Sequence, residues 1–424
     1  MTELARTGIF LGAAAALIAA ANWIQPETSR SEIFSDTGET FFAGFRDVQS
    51  AKAIEVVDYD EAEAVARPLK VEFRKNRWLL TSHGDYPAEA RDRLARTAAS
   101  LVDLKKDTPV SDRAEDQAKY GVVDPLDAKN PSFTGRGKRV TLRDGGGTVL
   151  ADLILGSVVK DKPGFRYVRL PAQKRIYSVK TDADPSAQFA DWVEANLLRV
   201  SAADITRMAL NSYQIDEQFG RLMNQQRTVY ERGQPTWTPQ AQTIAAALAS
   251  LRVTGARAKP RELADQLRSG QLALTIETVM SLRQRGFFIA PNGLLLSNEG
   301  ELIADTAGGI QYAIRFGELA TDTAAAPSAK PRENRYVFIT VSAKKPEVEA
   351  TAKGLTAKFA DWYYVISGAD FARLHPSRAA QLKEQQQQPP APRPSGLPPG
   401  LPPELERALT ERLRQQQAAP PPKQ

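Results

Sequence analysis

This 424-residue chain contains no cysteine. Disulfides, cysteine-ligated zinc, iron–sulfur clusters, thiol nucleophiles and a lipoprotein-type acylated cysteine are excluded together. A folded body of this chain must hold by burial, which its length permits. Histidine is nearly as scarce: His83 and His375 are the only two, a poor supply for a histidine metal site or a Ser-His-Asp centre. Like-charge blocks are missing as well, although 56 basic residues stand against 50 acidic ones for a net charge of +6. A nucleic-acid-binding arm is therefore not expected, and the surplus adds only weak attraction to anionic lipid headgroups. No Gly-x-Ser-x-Gly nucleophile elbow occurs. Gly135-Arg136-Gly137-Lys138 lacks both the spacing and the following hydroxyl of a phosphate loop, and reads as a basic hairpin loop.

What is present begins at the N-terminus. Gly8 to Ala21 is an unbroken run of apolar or small residues, and from Leu4 to Ile24 only Arg6, Thr7 and Asn22 are clearly polar. That stretch is close to the roughly 20 residues needed to cross a bilayer as a helix. Arg6 precedes the run, Trp23 follows it, and Glu27 and Glu32 come after, flanks that keep the N-terminus in the cytoplasm and export the body. Three readings stand: an uncleaved anchor, a signal peptide cleaved near Ala19-Ala20-Ala21, or a buried Ala-rich helix. Length favours the anchor. The expected location is the inner membrane, single-pass, with the body facing the periplasm or cell exterior.

The body shows faint internal similarity, consistent in order. Phe189-Ala190-Asp191-Trp192 returns as Phe359-Ala360-Asp361-Trp362, and Val200 to Ile205 resembles Ile366 to Phe371. Upstream, Trp78 leads through Pro87-Ala88 into a helical stretch with Leu94, Ala98 and Leu101. Trp237 leads through Pro239 into one with Ile244, Leu248 and Leu251. A glycine closes an apolar strand in each half, Gly156 after Leu155 and Gly317 after Phe316, and an aromatic strand follows, at Phe165 to Leu170 and Arg335 to Val341. Arg139 to Arg143 alternates as a strand, Asp144 to Gly147 is a hairpin turn, and Thr321 to Asn334 reads as a loop.

These marks predict an α+β fold: two tandem related repeats of antiparallel sheet plus one helix each, after an N-terminal transmembrane helix. The divisions are 1–30 for the anchor or signal segment, 31–200 and 201–375 for the repeats, and 376–424 for a disordered Pro/Gln-rich tail. Within that tail Leu405, Leu409 and Leu413 recur at helical spacing before Pro420.

Candidate chemistry is sparse. Asp58, Asp60, Glu61 and Glu63 form an acidic cluster without EF-hand spacing and read as a solvated loop. His83-Gly84-Asp85 reads as a surface loop. The recurring residues Trp78, Trp192, Trp237, Trp362, Asp191 and Asp361 are the candidates for a structural or binding surface, with the rings as core anchors and the aspartates capping turns. No catalytic residue, metal ligand or cofactor is expected.

Taken in order, Trp78, Leu101-Val102-Asp103-Leu104, Tyr120-Gly121-Val122-Val123-Asp124-Pro125, Val140-Thr141-Leu142, Leu155-Gly156, Tyr167-Val168-Arg169 and Asp191-Trp192 resemble a bacterial membrane-anchored domain-of-unknown-function family, number 4340. The first half, about Trp78 to Ile205, carries the resemblance. In the second, Gly286-Phe287 stands where Tyr120-Gly121 would have its counterpart. The resemblance implies an envelope location and a non-enzymatic accessory role beside gliding-motility-type ABC transporter components, with transporter subunits as partners. A scaffold recruiting proteins through its Pro-rich tail and an envelope hydrolase with an unfamiliar centre remain the alternatives.

Overall fold

The structure is a computed structural model, and it describes residues 36–377 apart from 131, 195, 217–220, 233–236, 271–274, 291 and 321–332. The N-terminal apolar run, nearly all of the Pro/Gln-rich tail and most of the Thr321–Asn334 loop thus lie outside the described residues. Among the described residues no helix is long and apolar enough to cross a membrane.

The first half opens with β1 (Ala53–Asp60), β2 (Val65–Arg74), β3 (Arg77–Leu80) and β4 (Tyr86–Pro87), followed by α1 (Arg91–Val102). Five strands complete it: β5 (Thr108–Ser111), β6 (Lys138–Arg143), β7 (Val149–Val158), β8 (Phe165–Arg169) and β9 (Ile176–Lys180). The second half begins with the hairpin β10 (Ile205–Asp216) and β11 (Arg221–Glu231), then α2 (Pro239–Ala249), β12 (Gly255–Ala258), α3 (Arg261–Ser269) and α4 (Ile276–Arg283). The short pair β13 (Phe287–Ile289) and β14 (Leu295–Ser297) precedes β15 (Glu301–Thr306), β16 (Ile310–Leu319) and β17 (Arg335–Ala343). The chain then runs through α5 (Glu349–Ala360), β18 (Trp362–Ile366) and α6 (Gly368–Leu374).

The architecture is mixed α and β, with antiparallel ladders throughout. A nine-stranded sheet has the order β4-β3-β2-β1-β6-β7-β8-β9-β5, and a seven-stranded sheet the order β11-β10-β15-β16-β17-β18-β12. From β2 to β5 the first sheet follows the same path as the whole of the second. The expectation of one helix per half holds only for the first; five of the six described helices belong to the second. Three of the additions, α3, α4 and the β13–β14 pair, supply Leu263, Leu282, Phe287 and Leu295, which pack with Phe338 and Tyr363 on the outer face of the second sheet.

Period-two alternation explains why both sheets bury one face against a common core. Ile54, Val56, Leu153 and Leu155 of the first sheet and Leu302, Ile314, Phe316 and Ile339 of the second belong to one continuous buried cluster. Leu94, Ala98 and Leu101 of α1 and Ile244 and Leu248 of α2 enter the same cluster from one stripe of each helix. Thr238 caps α2 by accepting the Ala241 amide, and Pro239 occupies its first turn without a wasted donor.

The two Phe-Ala-Asp-Trp segments occupy different places in this order. The first forms a 3-10 turn after β9, whereas the second ends α5 and enters β18. Core-facing positions pair Tyr177 and Val179 of β9 with Tyr364 and Ile366 of β18 instead. Trp78 and Trp237 also part company, the one on β3 and the other just before α2. Glycine geometry recurs more closely. Gly121 and Gly286 both have left-handed φ, +68° and +77°. The carbonyl before each accepts a hydrogen bond from the residue after a strand glycine: Ser157 N to Tyr120 O at 3.0 Å, and Glu318 N to Arg285 O at 2.9 Å. Gly156 and Gly317 lie within β7 and β16 rather than closing them, at bulges where a crossing segment comes close. A Cβ on Gly317 would stand 2.1 Å from the Arg285 carbonyl oxygen. Gly317→Ala is expected to cost at least about 1–3 kcal/mol through overpacking, read as a lower urea midpoint at unchanged slope; an unaltered midpoint would remove this contact from the fold's requirements.

Candidate functional site

The two halves meet at an aromatic joint. The short strand β4, just before α1, presents Tyr86, whose ring packs edge-on against Phe189 at 5.1 Å and against Trp362 at 4.9 Å. Tyr364 and Phe359 extend the cluster on one side, His83 on the other. Burial drives the Tyr86 hydroxyl pKa up to about 12, against a lowering hydrogen bond with Tyr364, while the Glu194 charge adds to the rise. Polar ties flank the rings: Tyr312 Oη donates to Leu198 O at 2.9 Å, and Lys358 Nζ reaches Glu194 at 2.8 Å and Leu197 O at 3.1 Å.

Beside this joint lies a cleft of about 1140 Å³. One wall is the β1–β2 hairpin, from Asp58 to Glu61 and Val65 to Pro68; the other is Thr254 to Ala258, the edge strand β12. His83, Gly84 and Phe189 contribute from the joint, and Glu333, Asn334 and Ser367 close the second-half side. The acidic cluster read as a solvated loop is the tip of this hairpin. Asp60 Oδ1 accepts the Ala62 and Glu63 amides, Arg67 pairs with Asp60 and Glu63, and Glu61 accepts the Gly135 amide at 3.2 Å.

The tryptophans expected as a surface are dispersed. Trp192 is 1% exposed, and its Nε1 donates to Ser186 O at 2.8 Å while Ser186 Oγ donates to Asp191. Trp237 is buried near the Arg232 guanidinium. Trp78 packs on Phe73 across β2–β3. Of the four, Trp362 belongs to the joint, and its neighbour Asp361 pairs with Arg268 on α3. No tryptophan or aspartate of the six lines the cleft.

Three cations, Arg169 and Lys259 buried and Arg136 partly so, carried no signal in the sequence, because their partners are main-chain carbonyls. Arg136, in the segment read as a basic hairpin loop, turns inward. Its guanidinium donates to the carbonyls of Asp124, Pro125, Asp127, Asn130 and Ser132 and stacks on Tyr59. Arg169 binds the carbonyls of Val122, Leu170, Pro171 and Gln173. Lys259 donates to Phe359 O and Trp362 O at 2.9 and 2.7 Å and lies 4.0 Å from the Phe338 ring centroid. Burial pushes its pKa well down, opposed by the charge of Asp361. His375, stacked on Phe371 and 3.2 Å from Ser212 Oγ, is likewise lowered by burial. Among the described residues no cluster of acidic and histidine side chains is arranged to hold a metal ion.

Glu194 makes the joint sensitive to acid. Burial raises its carboxyl pKa, but Arg199 and Lys358 outweigh that and hold it below the ordinary value. The folded state therefore binds fewer protons, so the stabilisation is present above the unfolded carboxylate value and lost as pH falls through the folded one. With both partners partly exposed, its size is at most about 1 kcal/mol. Acid titration followed by circular dichroism should show Glu194→Gln losing stability less steeply than the parent below about pH 4.5; parallel curves would exclude this pair from the joint.

No curated protein and no solved structure matches the chain. Residues 78–268 match a family model, beginning at Trp78 on β3 and ending in α3, and so reaching from the first sheet into the second. That model is described as a domain of unknown function (DUF4340), and this span is where the chain is similar to it.

Proposed function

We propose that this chain is a non-enzymatic binding module of the bacterial envelope, held at the inner membrane by its N-terminal apolar run. In this reading it serves as an accessory to an ABC transporter. The cleft between the two sheets carries the proposal: it is a large concavity beside the joint, walled by the β1–β2 hairpin of one sheet and the edge strand β12 of the other. The described groups most suited to chemistry are tied into packing instead, with Lys259 on two carbonyls and His375 between Phe371 and Ser212. Transporter association rests on the family resemblance. The common strand path of the two sheets further supports reading the halves as diverged copies of one unit, with the cleft at their seam.

A mild-detergent pull-down of the full-length protein from its native membrane, with mass spectrometry of the retained proteins, tests this. ATPase and permease subunits are the expected companions. Recovery of the protein alone, or its release into the soluble exported fraction, would overturn the accessory role. Loss of all partners on removing 376–424 would shift the reading to a scaffold acting through its tail.

A further inference from the structure

We infer that β11 pairs with the β11 of a second copy of this chain, antiparallel about a two-fold axis at Val229. The two seven-stranded sheets would then join edge to edge, away from the cleft and independently of it. β11 is 11 residues long and ends its sheet, with β10 as its one strand neighbour among the described residues. Arg232 N donates to Thr206 O at 3.1 Å, which fixes the alternation of this ladder. Gln226, Thr228 and Tyr230 therefore turn their main-chain groups to β10, and Gln225, Arg227, Val229 and Glu231 turn theirs away from it. All four of the outward residues are exposed. On that side no hydrogen bond from a described residue reaches the main chain of Arg227, Val229 or Glu231.

An open edge of this length is a template for another strand unless something blunts it. A bulge interrupts β11 at Asn224, where φ is +52° and the register against Ser212 and Gln214 shifts. The straight stretch is then Gln225 to Glu231, which holds no proline. Its two charges, Arg227 and Glu231, stand two residues to either side of Val229. Met208, Leu210 and Tyr230 face the core, so Arg227, Val229 and Glu231 share the opposite face of the sheet.

Charge order selects a second copy. With the axis at Val229, Arg227 lies opposite Glu231 of the second copy, and Glu231 lies opposite its Arg227. Val229 meets Val229, and the outward groups of all three positions form roughly six main-chain hydrogen bonds. An axis at Arg227 would instead set Arg against Arg, and one at Thr228 would set Arg227 against Val229. Opposite charges directly across a ladder stabilise it and like charges destabilise it. Glu231 already meets Arg207 of its own chain at 3.3 Å, but its side chain is 72% exposed and has room for a second guanidinium. Each copy carries +6, a repulsion that physiological salt screens beyond about 8 Å. One strand pair is small for an interface, so the association is weak, and confinement to a membrane would strengthen it.

The test uses the full-length protein in mild detergent. Because the chain has no cysteine, Val229→Cys places a single thiol at the axis. A short bismaleimide should crosslink that variant into a dimer on a denaturing gel. Val158→Cys, at a residue 62% exposed on β7, serves as the control and should stay monomeric. In sedimentation the parent should dimerise with rising concentration, and Arg227→Glu and Glu231→Arg should each weaken the dimer roughly tenfold. An equimolar mixture of these two variants should dimerise again, since it restores opposite charges at both positions. That recovery also shows that both variants fold. A parent that stays monomeric at every concentration, or crosslinking of Val229→Cys no greater than the control, would overturn the inference. So would a dimer that both charge variants leave intact, which would place the contact elsewhere, or a mixture no tighter than either variant alone. None of these outcomes bears on recovery of transporter subunits, so the accessory role stands or falls separately.

Discussion

Everything else in this molecule depends on two antiparallel sheets burying their inner faces in one apolar core with no covalent bond to help. Cysteine is absent, so the hydrophobic contacts among Ile54, Val56, Leu155, Phe316 and Ile339 must do what crosslinks do in many small domains. Helices α1 and α2 add their stripes to that core. The second sheet then needs a cover for its outer face, and α3, α4 and the β13–β14 pair provide it around Phe287, Phe338 and Tyr363. The first sheet manages with a smaller patch, Val122, Ile154 and Ile176, under a loop gathered by Arg136 and Arg169.

The difference between the outer faces has an electrostatic side. Irregular backbone close to a sheet carries carbonyls that need donors. In the first half two guanidinium groups collect nine such hydrogen bonds, Arg136 five and Arg169 four. In the second half Lys259 joins the end of α5 to the start of β18 and lies against the Phe338 and Tyr363 rings. These cations act as cross-braces between irregular backbone and the sheets beneath it.

The seam between the sheets follows from the same economy of strands. β3 is too short to cover the whole of β2, and β12 ends the second sheet beyond β18. The rings of Tyr86, Phe189 and Trp362 close the halves together at one end, and the cleft is what remains between the margins.

Residue order alone was enough for the mixed, antiparallel class, for helices near Arg91–Val102 and Pro239–Ala249, and for the β6 hairpin with its glycine turn. Those features rest on local periodicity and turn chemistry, which a single segment displays by itself. Gly286 and Gly121 share a left-handed turn against a neighbouring strand, where a Cβ would collide. The aspartate–tryptophan pairs misled for a physical reason. Four identical letters say nothing of whether they leave a strand or enter one, and Trp192 and Trp362 do opposite things. Tertiary structure alone brought β2 and β12 to face each other, buried Lys259 and Arg169, and made the joint from Tyr86 and Trp362. Each of these depends on groups tens to hundreds of residues apart in the chain, and contact at that range is decided by how the apolar faces close on one another.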